Sequence, residues 1–172
     1  GIKERVEKLT SLQVNKVQHT YFLTTFANLL TCQPVNLSTN MKVFKFGGAS
    51  VNSVERIKNL GDILRQFSGE KILVIVSAMG KTTNALEKVT EAFYNDKKEE
   101  ALQLFEQVKQ QHLATAKYLL VTHYLPCERQ LNDFFTEVEW LLHDKPVRDF
   151  DYYYDQVVCA GELLSTAIVS AY

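Results

Sequence analysis

Between Lys42 and Ser77 the spacing of apolar residues passes from alternation, through a helical period, to an unbroken run. The first stretch, Lys42-Val43-Phe44-Lys45-Phe46, ends on Gly47-Gly48 and predicts a short buried strand entering a tight turn. A helix is expected next, with Asn52 as N-cap and Glu55 three residues on in a variant of the capping box. Val54, Ile57, Leu60, Leu64 and Phe67 then share one face, and Ser68-Gly69 ends it. The run Ile72-Leu73-Val74-Ile75-Val76 is rich in branched side chains, the pattern of a strand buried on both faces of a parallel sheet. Together these make a βαβ unit. Its right-handed crossover leaves the loops Gly47–Ser50 and Ala78–Asn84 on one carboxyl edge, where open α/β sheets bind ligands.

Everything beyond that predicts helix. One runs from Thr83 to Tyr94, and a second carries Ala101, Leu104, Phe105, Val108, His112, Ala116 and Leu119 at helical spacing. A third carries Leu131, Phe134, Phe135, Val138 and Leu141. A fourth is expected as one run from about Asp151, with Tyr154, Val157, Val158, Leu164 and Ile168 inward. The charged stretch Asp96-Lys97-Lys98-Glu99-Glu100 reads as a solvated helix start.

Upstream, residues 1–40 close on the polar run Asn36-Leu37-Ser38-Thr39-Asn40, and the patterning changes sharply at Met41. A boundary is placed there, with 1–40 expected to be an upstream extension and Met41 the natural start. The apolar stretch Tyr21–Leu30 is interrupted by Thr24, Thr25 and Asn28 and falls short of the roughly 20 residues that span a bilayer. No small-residue cleavage pattern follows it, so an export signal is not expected.

Composition narrows the function classes. The chain has 172 residues, 46% hydrophobic and 23% charged, with a net charge of -1, as in a soluble globular protein. Without a concentrated basic surface, nucleic acid is excluded as the main partner. Cys32, Cys127 and Cys159 are odd in number and far apart, which argues against a disulfide framework or a zinc site and for a reducing cytoplasm.

Chemistry is concentrated at the two loops. Lys45 puts a cation at a strand end, and Gly47 and Gly48 let backbone N–H groups approach an anion, with the helix near Ser53 adding its positive end. An ordinary strand-to-helix turn beside a solvent-facing lysine has the same signature, and the residues alone leave both open. In the second loop, Gly80-Lys81-Thr82 resembles the tail of a Walker A motif, but the motif's first glycine would fall at Ile75, inside a strand. What remains there is a set of hydroxyls, Ser77, Thr82 and Thr83, suited to a ligand or to helix capping. His112, His123 and His143 have no partner spacing and the tyrosines Tyr152, Tyr153 and Tyr154 are read as packing or interface residues, so none is assigned chemistry.

In order along the chain, Lys45-Phe46-Gly47-Gly48-Ala49-Ser50-Val51, then Ser77-Ala78 with Thr83-Asn84, then Gly161-Glu162-Leu163-Leu164-Ser165-Thr166 resemble aspartate kinase, within the amino acid kinase superfamily. The resemblance covers Met41 to Tyr172. It implies an α/β fold, a partial three-layer αβα sandwich with a helical insert, in which 41–172 form the N-terminal, incomplete part of the catalytic domain. It also implies transfer of the ATP γ-phosphate to the side-chain carboxylate of L-aspartate, giving 4-phospho-L-aspartate, with Mg2+ bound through the nucleotide and no metal held by the protein. Lys45 would be catalytic. Lys45, Phe46, Gly47, Gly48 and Ser50 would bind ATP phosphates, and Ser77, Thr83, Glu162 and Ser165 would bind aspartate. The full-length enzyme is expected to be a homo-oligomer, and this stretch alone is expected to bind ATP weakly and not to turn over. Kinases of the superfamily that act on glutamate, acetylglutamate, carbamate or UMP usually lack the insert that carries Glu162. A non-catalytic helical interaction module is the other alternative, motivated by the amphipathic helices between Glu99 and Tyr172.

Overall fold

The computed structural model describes residues 41–172; the expectations for residues 1–40, including Tyr21–Leu30, Cys32 and the standing of Met41, lie outside the described residues. Strands β1 (Lys42–Phe46) and β2 (Ile72–Val76) pair in parallel, in register from Lys42 opposite Ile72 to Phe46 opposite Val76. Helix α1 (Val54–Arg65) connects them and completes the expected βαβ unit.

Alternation along β1 gives its two faces different surroundings. Phe44 stacks toward Phe46, with centroids 6.4 Å apart, and packs 4.8 Å from the Phe67 ring. The Lys42 ammonium caps the same ring at 4.6 Å and pairs with Glu70 at 2.6 Å. Val43 and Ile75 are 57% and 45% exposed. The expectation that β2 is buried on both faces is therefore corrected. Among the described residues the sheet is two strands wide, and the face that carries Val43, Lys45 and Ile75 stands open.

The cap of α1 is also corrected. Ser53, not Asn52, holds the last extended backbone before the helix, and its Oγ accepts the Arg56 N–H at 3.3 Å. Ile57 and Leu60 are buried, as their period requires, and Gly69 supplies the positive φ of +89° that turns the chain into β2.

Helix α2 (Thr82–Tyr94) ends in a Schellman turn. The Lys97 N–H bonds the Ala92 carbonyl at 3.0 Å and the Asp96 N–H bonds Phe93 at 3.1 Å, with Asp96 left-handed at φ +61°. Asp96 thus closes α2, while the solvated helix start lies in α3 (Lys98–Leu119), whose first turn holds Glu99 and Glu100. Ala101, Phe105, Val108, His112, Ala116 and Leu119 of α3 are buried at the expected spacing. In α4 (Tyr124–His143) the inward set is Cys127, Leu131, Phe135, Val138 and Leu142, so Leu142 takes the place expected of Leu141. Phe105 meets Phe135 edge to face at 6.1 Å, and Lys109 ties the two helices by bonding Glu139 at 2.6 Å.

The last predicted helix is two. α5 (Phe150–Val158) and α6 (Ala160–Ala171) meet at Cys159, and each has its own partner: α5 packs on α2, and α6 on α4. Tyr153 rather than Tyr154 turns inward, its hydroxyl accepting the Val147 N–H at 2.8 Å and its ring set against Phe93 at 5.2 Å. Tyr154 stays at the boundary and donates to Glu87 at 2.7 Å. Burying side chains such as Leu86, Phe105, Leu131 and Ile168 stabilises the helical body by about 1.5–3 kcal/mol each. No helix among the described residues is long and apolar enough to cross a membrane.

Candidate active site

The site is built where the two loops leave the sheet. The Ser77 N–H donates to the Phe46 carbonyl at 3.0 Å, extending the ladder by one bond past the strand ends. Beyond it, the Gly80 N–H donates to the Gly48 carbonyl at 3.0 Å. A Cβ built on Gly48 would stand 2.5 Å from the Ala78 carbonyl oxygen, closer than any side chain permits, so glycine is required there by the second loop itself. Gly47 is different. Its φ is −72°, an ordinary value, and a Cβ there would meet nothing within 4 Å. The first glycine of the pair therefore borders open space and the second cements the loops.

Gly48–Ser50 form a single 3-10 turn in which the Ser50 N–H bonds the Gly47 carbonyl at 2.8 Å. The amides of Gly47 and Gly48 donate to no carbonyl among the described residues. Lys45, exposed on the open sheet face, makes no ion pair among them either. A free cation and two free amides close in sequence at a strand end are groups suited to an anion. Phe46 is half-buried and contributes through its carbonyl, while the Ser50 side chain is half-buried at the end of the turn.

In the second loop the hydroxyls separate by role. Thr82 is 1% exposed, and both its N–H and its hydroxyl are bound to the Met79 carbonyl, at 3.0 and 2.7 Å. It caps α2. Ser77 and Thr83 are half-buried, with side chains that bond no described residue, and so they remain open to a ligand.

The third motif arrives from α6. A Cβ on Gly161 would lie 3.0 Å from the Ala78 Cβ and 3.3 Å from both Leu86 Cδ1 and Thr82 Cγ2, so α6 crosses the second loop at its glycine. Glu162, the next residue, is exposed and unpaired among the described residues. Desolvation first, and then the nearby carboxylates of Glu162, Asp155 and Glu137, push the Cys159 thiol up. Ser165 is fully buried. Its Oγ accepts the Met79 N–H at 2.8 Å and donates to the Gly161 carbonyl at 2.9 Å, so its hydroxyl is already engaged within the fold. Three segments remote in sequence are thus brought to one sheet edge, Gly48 against Ala78, Gly161 against Ala78, and Ser165 against Met79. Sequence reasoning missed the Met79 amide and the packing role of Gly161. The small pair Ala160-Gly161 was the only signal for the latter.

The sequence profile of the amino acid kinase family matches residues 40–172. The chain belongs to the amino acid kinase family. Within this family it is similar to aspartokinase 2, chloroplastic, of Arabidopsis thaliana, 34% identical over 76% of this chain and 24% of that protein. Aspartokinase 1, chloroplastic, of the same plant is also 34% identical, over 76% of this chain and 23% of that protein. The amino acid kinase fold is shared with the crystal structure of E. coli aspartokinase III in complex with lysine and aspartate. That match has a TM-score of 0.63 at 21% identity and covers 75% of this chain and 28% of that one. The chain spans about a quarter of the length of the curated relatives it matches.

Proposed function

We propose that residues 41–172 are the front part of an aspartate kinase catalytic domain, transferring the ATP γ-phosphate to the side-chain carboxylate of L-aspartate. The observation that carries this reading is the meeting of the Lys45–Gly48 turn, the Ser77–Thr83 loop and the Glu162 turn at one sheet edge. The names of the similar proteins support the choice of aspartate among the family's substrates.

The chemistry follows from charge. An aspartate carboxylate attacking a phosphate brings two anions together, so the rate depends on neutralisation and positioning more than on covalent help. In this reading the Lys45 ammonium holds the phosphoryl group in flight. The Gly47 and Gly48 amides donate to its oxygens, and the Ser50 hydroxyl borders them. On the acceptor side, Glu162 receives the substrate ammonium, a pairing that distinguishes an amino acid from a plain dicarboxylate. Thr83 and Ser77 offer hydroxyls to the substrate carboxylates. Magnesium would come as the counter-ion of the nucleotide; among the described residues no group of three or more His, Cys, Asp and Glu side chains is arranged to hold a metal.

The test is ADP release by the full-length protein with L-aspartate, L-glutamate, N-acetylglutamate or UMP as acceptor. Activity with L-aspartate that falls at least ~100-fold in Lys45→Ala, with folding retained, is the expected result. Turnover of another acceptor in preference to aspartate would overturn the reading.

A further inference from the structure

The buried Ser165 hydroxyl lies between the two halves of the proposed site, and both of its hydrogen bonds are made within the fold. Its Oγ accepts a hydrogen bond from the Met79 N–H at 2.8 Å and donates one to the Gly161 carbonyl at 2.9 Å, both in the buried interior. On the acceptor side, Gly161 is the neighbour of Glu162, so the turn of α6 that Ser165 grips is the one that presents the glutamate. On the donor side, Met79 belongs to a segment without slack. Its carbonyl is taken by Thr82, its neighbour Gly80 donates to the Gly48 carbonyl, and the Ala78 carbonyl backs onto Gly48.

From this geometry we infer that Ser165 is a positioning residue that fixes the spacing between the phosphate-facing Gly47-Gly48 turn and Glu162. The inference rests on the aspartate kinase reading above. A buried hydroxyl that bonds only within its own helix could be lost without moving either loop, and Thr90, equally buried, is such a case, its hydroxyl bonding the Leu86 carbonyl at 3.0 Å. Ser165 instead joins elements 86 residues apart. Without its acceptor the Met79 amide is orphaned in the interior, and the loop must move to find a partner. A displacement on the order of 1 Å between two reactants is enough to cost about a hundredfold in rate while each partner still binds.

The experiment compares Ser165→Ala, Ser165→Cys and Thr90→Val in the full-length protein, measuring kcat, the KM for each substrate and Tm. The expected result is a kcat lowered ~10- to 100-fold in Ser165→Ala, with both KM values within about threefold of wild type. Ser165→Cys, of similar size and with a weaker acceptor, falls between, and Thr90→Val lowers Tm without lowering kcat. A kcat for Ser165→Ala within twofold of wild type overturns the inference, as does an equal loss in Thr90→Val. If the alanine variant does not fold, the cysteine variant carries the comparison; if neither folds, the role is purely structural and the inference falls. Wild-type protein that leaves L-aspartate untouched sinks the functional reading and this inference with it, whereas an active wild type with an unaltered alanine variant sinks the inference alone.

Discussion

Gly48 turns its missing side chain toward the carbonyl oxygen of Ala78, 2.5 Å from where a Cβ would stand. Gly47, one residue earlier, faces open space, so two adjacent glycines predict opposite outcomes. Gly48→Ala forces the loops apart and is expected to destabilise the protein by ~1–3 kcal/mol, seen as a lower denaturant midpoint. Gly47→Ala is expected to leave stability within about 0.5 kcal/mol of wild type and to raise the KM for ATP, because the methyl occupies the approach to the free amides. Equal stability losses in the two variants would contradict this division.

Gly161→Ala tests the crossing of α6 over the second loop. At an unencumbered helix interior the substitution stabilises by about 1 kcal/mol. Here the new methyl meets Ala78 at 3.0 Å and two further side chains at 3.3 Å. A net loss of stability, with a lower kcat for aspartate, is expected from thermal melts and steady-state kinetics; a rise in Tm would show that the crossing yields.

Asp96 sits left-handed at the end of α2, where glycine has no Cβ penalty. Asp96→Gly is expected to stabilise by ~0.5–1 kcal/mol and to raise Tm by a few degrees without touching kinetics. An unchanged or lower Tm would mean that the aspartate contributes something its geometry does not display.

His112 makes stability depend on pH. Burial lowers its pKa against a weaker opposing effect of the Val108 carbonyl, which Nδ1 approaches at 2.7 Å; Nε2 has no described partner. Above about pH 6.5 the imidazole is neutral in both the folded and the unfolded chain, and contributes no slope. As pH falls below that value the unfolded chain takes up a proton that the folded one refuses, so stability declines by up to ~1.4 kcal/mol per pH unit until the lowered folded pKa is reached. His112→Leu is expected to flatten the decline between pH 6.5 and 5 in urea melts. A slope unchanged in the variant would assign it to other groups.

Much of the fold was legible because its signals are local. The alternation in β1, the branched run of β2 and the inward sets of α3 and α4 each follow from a period that a few neighbouring residues define. The missed features depend on partners far along the chain. Nothing near Ile75 says how wide the sheet is, and nothing near Cys159 says that the halves of residues 150–171 have different neighbours. The site divides in the same way. Lys45, Gly47 and Gly48 stand out as chemical types at a strand end and Glu162 only through the resemblance, whereas the engagement of Ser165 with Met79 is a tertiary fact that no spacing encodes.

Either side of the joint at Cys159, α5 packs mainly on α2 and α6 mainly on α4, yet α2 touches both, through Phe93 and Glu87 against Tyr153 and Tyr154 and through Thr82 and Leu86 against Gly161. Substitutions in contacts that share a partner do not add independently. Sequence drift around Tyr153 is therefore felt along α2 and, at its other end, by the turn of α6 that carries Glu162, so the tyrosine-rich corner and that turn are expected to vary together.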